Sequence, residues 1–161
     1  SRVTSHQIVR QRIGTSYSQR SQRYVTEDNF DYITPPSIKK NEEVYQEYKD
    51  KMKELEETYL KFIEQGIPKE DARFILPTIK TNIVISYNAR SLMHFLSLRT
   101  CNRAQWEIRS IARQMLKEVK DVAPVIFENA GPPCETEGEC PEGDLSCGKI
   151  EKIKAKKAKE N

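Results

Sequence analysis

Residues 10–24 read RQRIGTSYSQRSQRY. These fifteen positions hold four arginines and four serines or threonines, with no acid and no lysine. Guanidinium groups present planar forks that match the oxygens of phosphate or carboxylate two bonds at a time, and hydroxyls and glycine-freed backbone N–H groups add neutral donors. The stretch therefore has the chemistry of an anion site. A solvated basic loop, paired with some of the chain's 24 acids, is the plain alternative. The charge is local: residues 1–26 carry five arginines and no Asp or Glu, while the net charge of all 161 residues is only +3.

At 161 residues and 37% hydrophobic content the chain has the length of one ordinary domain and enough apolar material for a core. It has no apolar run of about 18 residues that would form a membrane-spanning helix. It opens SRVTSHQ, without an initiator methionine or a charged-then-apolar leader, so a processed or truncated N-terminus and a cytoplasmic protein are expected. The four cysteines then read as reduced thiols and not as a disulfide framework.

Outward from the opening stretch, residues 6–12 read as the end of a helix, and Gly14 with the following TSYS as a turn. FDYITPPSI at 30–38 reads as extended chain, its paired prolines excluding a helix. Val44, Tyr48, Met52, Leu55, Tyr59 and Phe62 step by four, four, three, four and three, the stripe of an amphipathic helix over 41–65 that Gly66 and Pro68 end. KEDARFIL predicts a short helix with Pro68 in its first turn, and TNIVISY at 81–87 a strand. Asn88 is suited to cap a helix over 89–98. A further helix is expected over about 103–122, with Ile108, Ile111, Met115, Val119 and Val122 on one face. Residues 134–161 change character, from a glycine, acid and cysteine segment to a lysine-rich tail, and are expected to be flexible.

NARSLMHFLSLRTCNRAQWEIR at 88–109 is the second constellation. Arg90 and His94 are four apart and so are neighbours on a helix. A core helix with salt-bridged arginines and a structural histidine is the alternative.

Together RQRIGTSYSQRSQRY, DARFILP, the 88–109 block and APVIFENAGPPC resemble the flavin-dependent thymidylate synthases over roughly residues 6–134. That family's hallmark is Arg-His-Arg, a spacer, then Ser-x-Arg-Tyr. Here Arg10-Gln11-Arg12 is followed by eight residues and then Ser21-Gln22-Arg23-Tyr24. Gln11 stands where the hallmark has histidine; it keeps hydrogen-bonding ability but carries no imidazolium charge. The resemblance implies an α/β (α+β) fold with a mixed sheet flanked by helices, a homotetramer with shared active sites, and a partial family domain over 1–133 that lacks an N-terminal portion contributing flavin contacts.

The implied reaction carries the methylene of methylenetetrahydrofolate to C5 of dUMP and reduces it to methyl, with FADH2 regenerated by NADPH. By resemblance Gln7, Gln19, Ser21, Gln22, Arg23 and Arg73 hold the nucleotide. Arg10, Gln11 and Arg12 lie toward FAD, and Asn88, Arg90 and His94 face it. Arg99 approaches the pyrimidine, where a fixed cation stabilises charge gathering at N3 and the carbonyls. Ser21 is read as positioning the substrate, since no histidine adjoins it in sequence to activate it.

Cys101 as a nucleophile weighs less, because the matched family needs no thiol. Cys134, Cys140 and Cys147 are spaced C-x5-C-x6-C, with no C-x2-C pair and no nearby histidine. That is a weak zinc pattern, so no metal ligand is assigned; a thiol-bearing tail is favoured over a cluster metal. The other readings are a nucleic-acid-binding module gripping phosphates with the Arg/Ser/Tyr stretch and the lysine tail, and an inactive truncated paralogue. Arginines interleaved with Gln and Ser at motif spacing argue against the nucleic-acid reading, and the lack of an apolar run of about 18 residues argues against a membrane partner.

Overall fold

The computed structural model describes residues 1–21, 31–76 and 79–160. In chain order it contains α1 (Arg2–Ile8), β1 (Thr15–Gln19), α2 (Pro36–Lys39), α3 (Glu42–Glu64), α4 (Lys69–Ala72), β2 (Ile83–Tyr87), α5 (Ala89–Arg99), α6 (Trp106–Val122), α7 (Pro124–Phe127), α8 (Pro133–Thr136) and α9 (Lys149–Glu160), with 3₁₀ turns at Arg73–Ile75 and Gly143–Leu145. It is an α+β chain, rich in helix. No described helix is long and apolar enough to cross a membrane.

β1 and β2 form a two-stranded antiparallel sheet. One end is closed by the Arg20 N–H on the Asn82 carbonyl at 3.0 Å, the other by the Asn88 N–H on the Gly14 carbonyl at 2.9 Å. TSYS was expected as a turn, and the structure corrects this. Gly14, at φ +66°, makes the turn by itself, which frees the Thr and Tyr that follow to pair as a strand with alternating burial. The first helix is likewise displaced from 6–12 to 2–8.

The chain divides into two compact units, residues 1–6 with 17–84 and residues 7–16 with 85–161. In the first, α3 starts where the Asn41 side chain accepts from the N–H groups of Glu43 and Val44, with Glu42 and Glu43 at its positive end. Met52 of its apolar stripe packs with Ile79, and Tyr32, Tyr48, Leu55 and Leu76 close around them. Tyr32 and Tyr48 meet edge to face at 5.6 Å, and burial pushes both phenol pKa values up. An antiparallel bridge joins Tyr32 to Ile79, consistent with extended chain there. The paired prolines do not exclude a helix, however: Pro36 begins α2, because a first-turn position needs no N–H donor. KEDARFIL is divided between α4 and a 3₁₀ turn, and Pro68 sits at the cap position, one residue before the first turn.

In the second unit α5 packs on α6, and Leu92, Phe95, Leu96, Ile108 and Ala112 are buried. α6 begins at Trp106, three residues later than expected, where the Gln105 side chain caps Glu107 and Ile108. Its predicted face is apolar at Ile108, but Val122 at the far end is exposed. Residues 149–160 are helical, and Ile150 is buried.

Candidate active site

Of the nucleotide-side residues, Gln19, Ser21 and Arg73 belong to the first unit. Gln19 ends β1, and its amide Nε2 donates to Ser5 Oγ at 3.1 Å and Thr81 Oγ1 at 3.3 Å. Ser5 is buried and spends its own proton on the Arg2 carbonyl at 3.0 Å, so toward Gln19 it acts as an acceptor. This chain of bonds fixes the amide, with its donor end committed to the protein. Arg73 lies in the 3₁₀ turn after α4, its Nε on the Glu70 carbonyl at 3.0 Å. Ser21 is exposed. Gln22 and Arg23 lie outside the described residues.

The flavin-side residues and Gln7 belong to the second unit. Gln7 is half-buried near the end of α1, and Gln11 follows with its N–H on the Ile8 carbonyl at 3.2 Å while its own carbonyl accepts from Thr15 Oγ1 at 2.9 Å. The turn they frame is tied to the start of α5: Ser91 Oγ donates to the Ile13 carbonyl at 2.6 Å, beside the bond from Asn88 N–H to the Gly14 carbonyl. The contact is so close that a Cβ on Gly14 would stand 2.0 Å from Asn88 Nδ2 and 2.6 Å from Ser91 Oγ. Asn88 caps α5 as expected, its Oδ1 accepting from the Ser91 N–H at 2.9 Å.

Arg10, Gln11 and Arg12 are thereby held at the N-terminal end of the helix that carries Asn88, Arg90 and His94. Arg10, Arg12, Arg90 and His94 are exposed and make no ion pair with a described residue. The guanidinium forks of Arg10, Arg12 and Arg90 near a positive helix end are suited to an anionic, planar cofactor, so these residues, with the His94 imidazole further along as a hydrogen-bonding group, fit a flavin nucleotide. Arg99 stands apart. Nine residues after Arg90, it falls on the opposite face of α5, and its half-buried side chain is about 13 Å further along the axis.

Ser5, Thr81, Ser91 and Gly14 escaped the sequence reading as site residues. Only Gly14 left a signal, a glycine interrupting an arginine and hydroxyl run; the others depend on partners 14, 62 and 78 positions away.

Comparison with known proteins places the chain in a family. The family described as "Thymidylate synthase complementing protein" matches residues 1–125. A flavin-dependent thymidylate synthase of Geobacter sulfurreducens is 50% identical over 157 residues, covering 96% of this chain and 67% of that protein. The chain belongs to the flavin-dependent thymidylate synthase family. A Pyrococcus furiosus member is 47% identical over 154 residues, 90% of this chain and 63% of its own length. Among solved structures, the UMP/dUMP methylase PolB of Streptomyces cacaoi, bound with 5-Br dUMP, superposes with a TM-score of 0.69 at 26% identity, over 78% of this chain and 66% of that one. The chain thus spans roughly two thirds of the length of these members of, or neighbours to, the flavin-dependent thymidylate synthases.

Proposed function

We propose that the chain catalyses the reductive methylation of dUMP to dTMP, taking the one-carbon unit from methylenetetrahydrofolate and using FAD reduced by NADPH. The observation that carries this reading is the fastening of the Arg10–Arg12 turn onto the start of α5, which groups cations that have no ion pair with a described residue, in a chain of this family. When bound and reduced by NADPH, the flavin would supply the hydride. Arg10, Arg12 and Arg90 would hold it by charge and hydrogen bonding and His94 by hydrogen bonding, at the end of α5 that Asn88 caps. Gln19, Ser21, Gln22, Arg23, Arg73 and Gln7 bind the nucleotide, with the fixed amide of Gln19 offering its oxygen as acceptor.

Arg99 stabilises negative charge on the pyrimidine; a guanidinium keeps its proton and so acts as an electrostatic partner and never as a base. Its place on the far face of α5 supports the view that it serves a site completed by another subunit. A homotetramer with shared sites, a mixed sheet completed by further strands, and a cytoplasmic location belong to the same proposal. The test is an assay of the chain produced with any residues encoded before Ser1. The protein should be yellow with FAD and should release tritium from 5-tritiated dUMP only when methylenetetrahydrofolate and NADPH are both present. Absence of both flavin absorbance and tritium release would refute the proposal.

A further inference from the structure

The four cysteines come from segments well separated in sequence, yet the second unit gathers them. Cys101 sits in the turn after α5, where its Sγ accepts from the Arg103 N–H at 3.5 Å. Cys147 precedes α9, and its Sγ accepts from the backbone N–H of Lys149 and from Asn102 Nδ2, the latter at 3.6 Å. Asn102 is the residue next to Cys101, so the two cysteine turns, 45 positions apart, meet. Cys140 Sγ lies 3.4 Å from the hydroxyl of Ser146, the neighbour of Cys147. Cys134 is buried in α8 and close enough to Cys101 and Cys140 for its charge to interact with both. Glu135, beside it, pairs with Lys149 at the start of α9.

Two features of this cluster point to metal ligation. The first is local geometry: Cys101 and Cys147 each accept an N–H from two residues downstream, and Gly148, at φ +74°, turns the backbone after Cys147. A backbone N–H aimed at a sulfur fixes the orientation of that side chain in its turn, as the outer-shell partners of a metal ligand do. The second is packing: Ala130, Pro132, Cys134 and Ile150 are the buried apolar side chains between 128 and 151, a small apolar core for a segment of short helical turns and loops. Small segments of that kind need a cross-link or a metal.

We propose that Cys101, Cys134, Cys140 and Cys147 form a structural tetrathiolate zinc site that clamps the C-terminal segment to the turn after α5. Zinc takes four thiolates tetrahedrally at about 2.3 Å, and a closed set of this kind has no open position for catalysis. Binding releases one proton from each thiol and forms four Zn–S bonds with no change of oxidation state. Among the described residues no three such side chains already converge as a metal-holding group. On zinc binding the side-chain contacts of Cys140 with Ser146 and of Cys147 with Asn102 would be exchanged for the metal by rotation of χ1 between staggered wells.

The chain, produced with any residues encoded before Ser1 and purified without chelator, should carry about one zinc per chain, released by a mercurial that captures thiols. Replacing zinc by cobalt should give the visible bands of a tetrahedral ion and thiolate-to-cobalt charge transfer. Cys140→Ser and Cys147→Ser should each weaken zinc retention at least about tenfold in chelator competition, whereas His6→Ala should leave it unchanged. A cobalt spectrum without charge transfer from thiolate overturns the proposal, and that reading needs no variant to fold. So does zinc content that survives both cysteine substitutions, or native protein whose cysteines are found paired as disulfides.

Discussion

Along α3, Lys51 pairs with Glu54 at 2.5 Å, Lys53 with Glu57 at 3.8 Å, and Gln46 donates to Asp50 at 2.8 Å. α5, by contrast, has no acid in its sequence and leaves Arg90 and His94 exposed without an ion pair to a described residue. Both helices bear cations, but only those of α3 have partners at helical spacing. Pairs of that kind are worth a few tenths of a kcal/mol and make a solvated face. Cations near a helix N-terminus that have no ion pair among the described residues, with the turn that follows Arg10 and Arg12 fastened there, are suited to an anion from outside the chain. Under the proposed function, the difference separates charge that solvates a face from charge that recognises a ligand.

The strongest way to break this contrast is Arg99, the last residue of α5. Arg99→Ala should lower turnover by about 10²- to 10³-fold, the usual cost of losing a transition-state charge partner, and should move the KM for dUMP much less. Unchanged turnover in a steady-state assay would remove Arg99 from the mechanism.

Gly14→Ala tests the fastening itself. The new methyl would collide with Asn88 and Ser91 at a backbone φ that disfavours any Cβ, so the 10–14 turn must leave the helix end. Flavin retention after gel filtration should be lost even in protein that remains folded by circular dichroism; retained flavin would show that the turn does not position the cofactor.

Smaller effects are expected where the chain only orients a ligand group. Ser5→Ala or Thr81→Val removes one acceptor for the Gln19 amide, worth about 1 kcal/mol each, and should raise the KM for dUMP about fivefold with kcat preserved. A KM unchanged in both variants would show that the orientation of Gln19 is irrelevant to binding.

What the sequence could disclose follows from the range of the interactions. The α3 stripe and the Asn88 cap depend on neighbours within a turn, and both were readable. β1 was hidden because Ser, Thr and Tyr serve turns and strands alike, and only pairing with β2, more than sixty residues away, decides between them. The motif named Arg10, Arg12 and Gln19 as site residues, but it gave no hint that Ser5, Thr81 and Ser91 would hold them. The cysteines show the same limit: their spacing alone was a weak signal, and Asn102 meeting Cys147 is what draws the segments together.

The proposed binding groups for the flavin are cations with no ion pair among the described residues. An absorbance titration with FAD should compare the unaltered protein, the Arg10→Ala/Arg90→Ala double variant, and Lys53→Ala on α3. The double variant should bind FAD at least about tenfold more weakly, the loss of one or more charged hydrogen bonds, while Lys53→Ala should match the unaltered protein. Equal affinity in all three would contradict the division between paired and waiting charge.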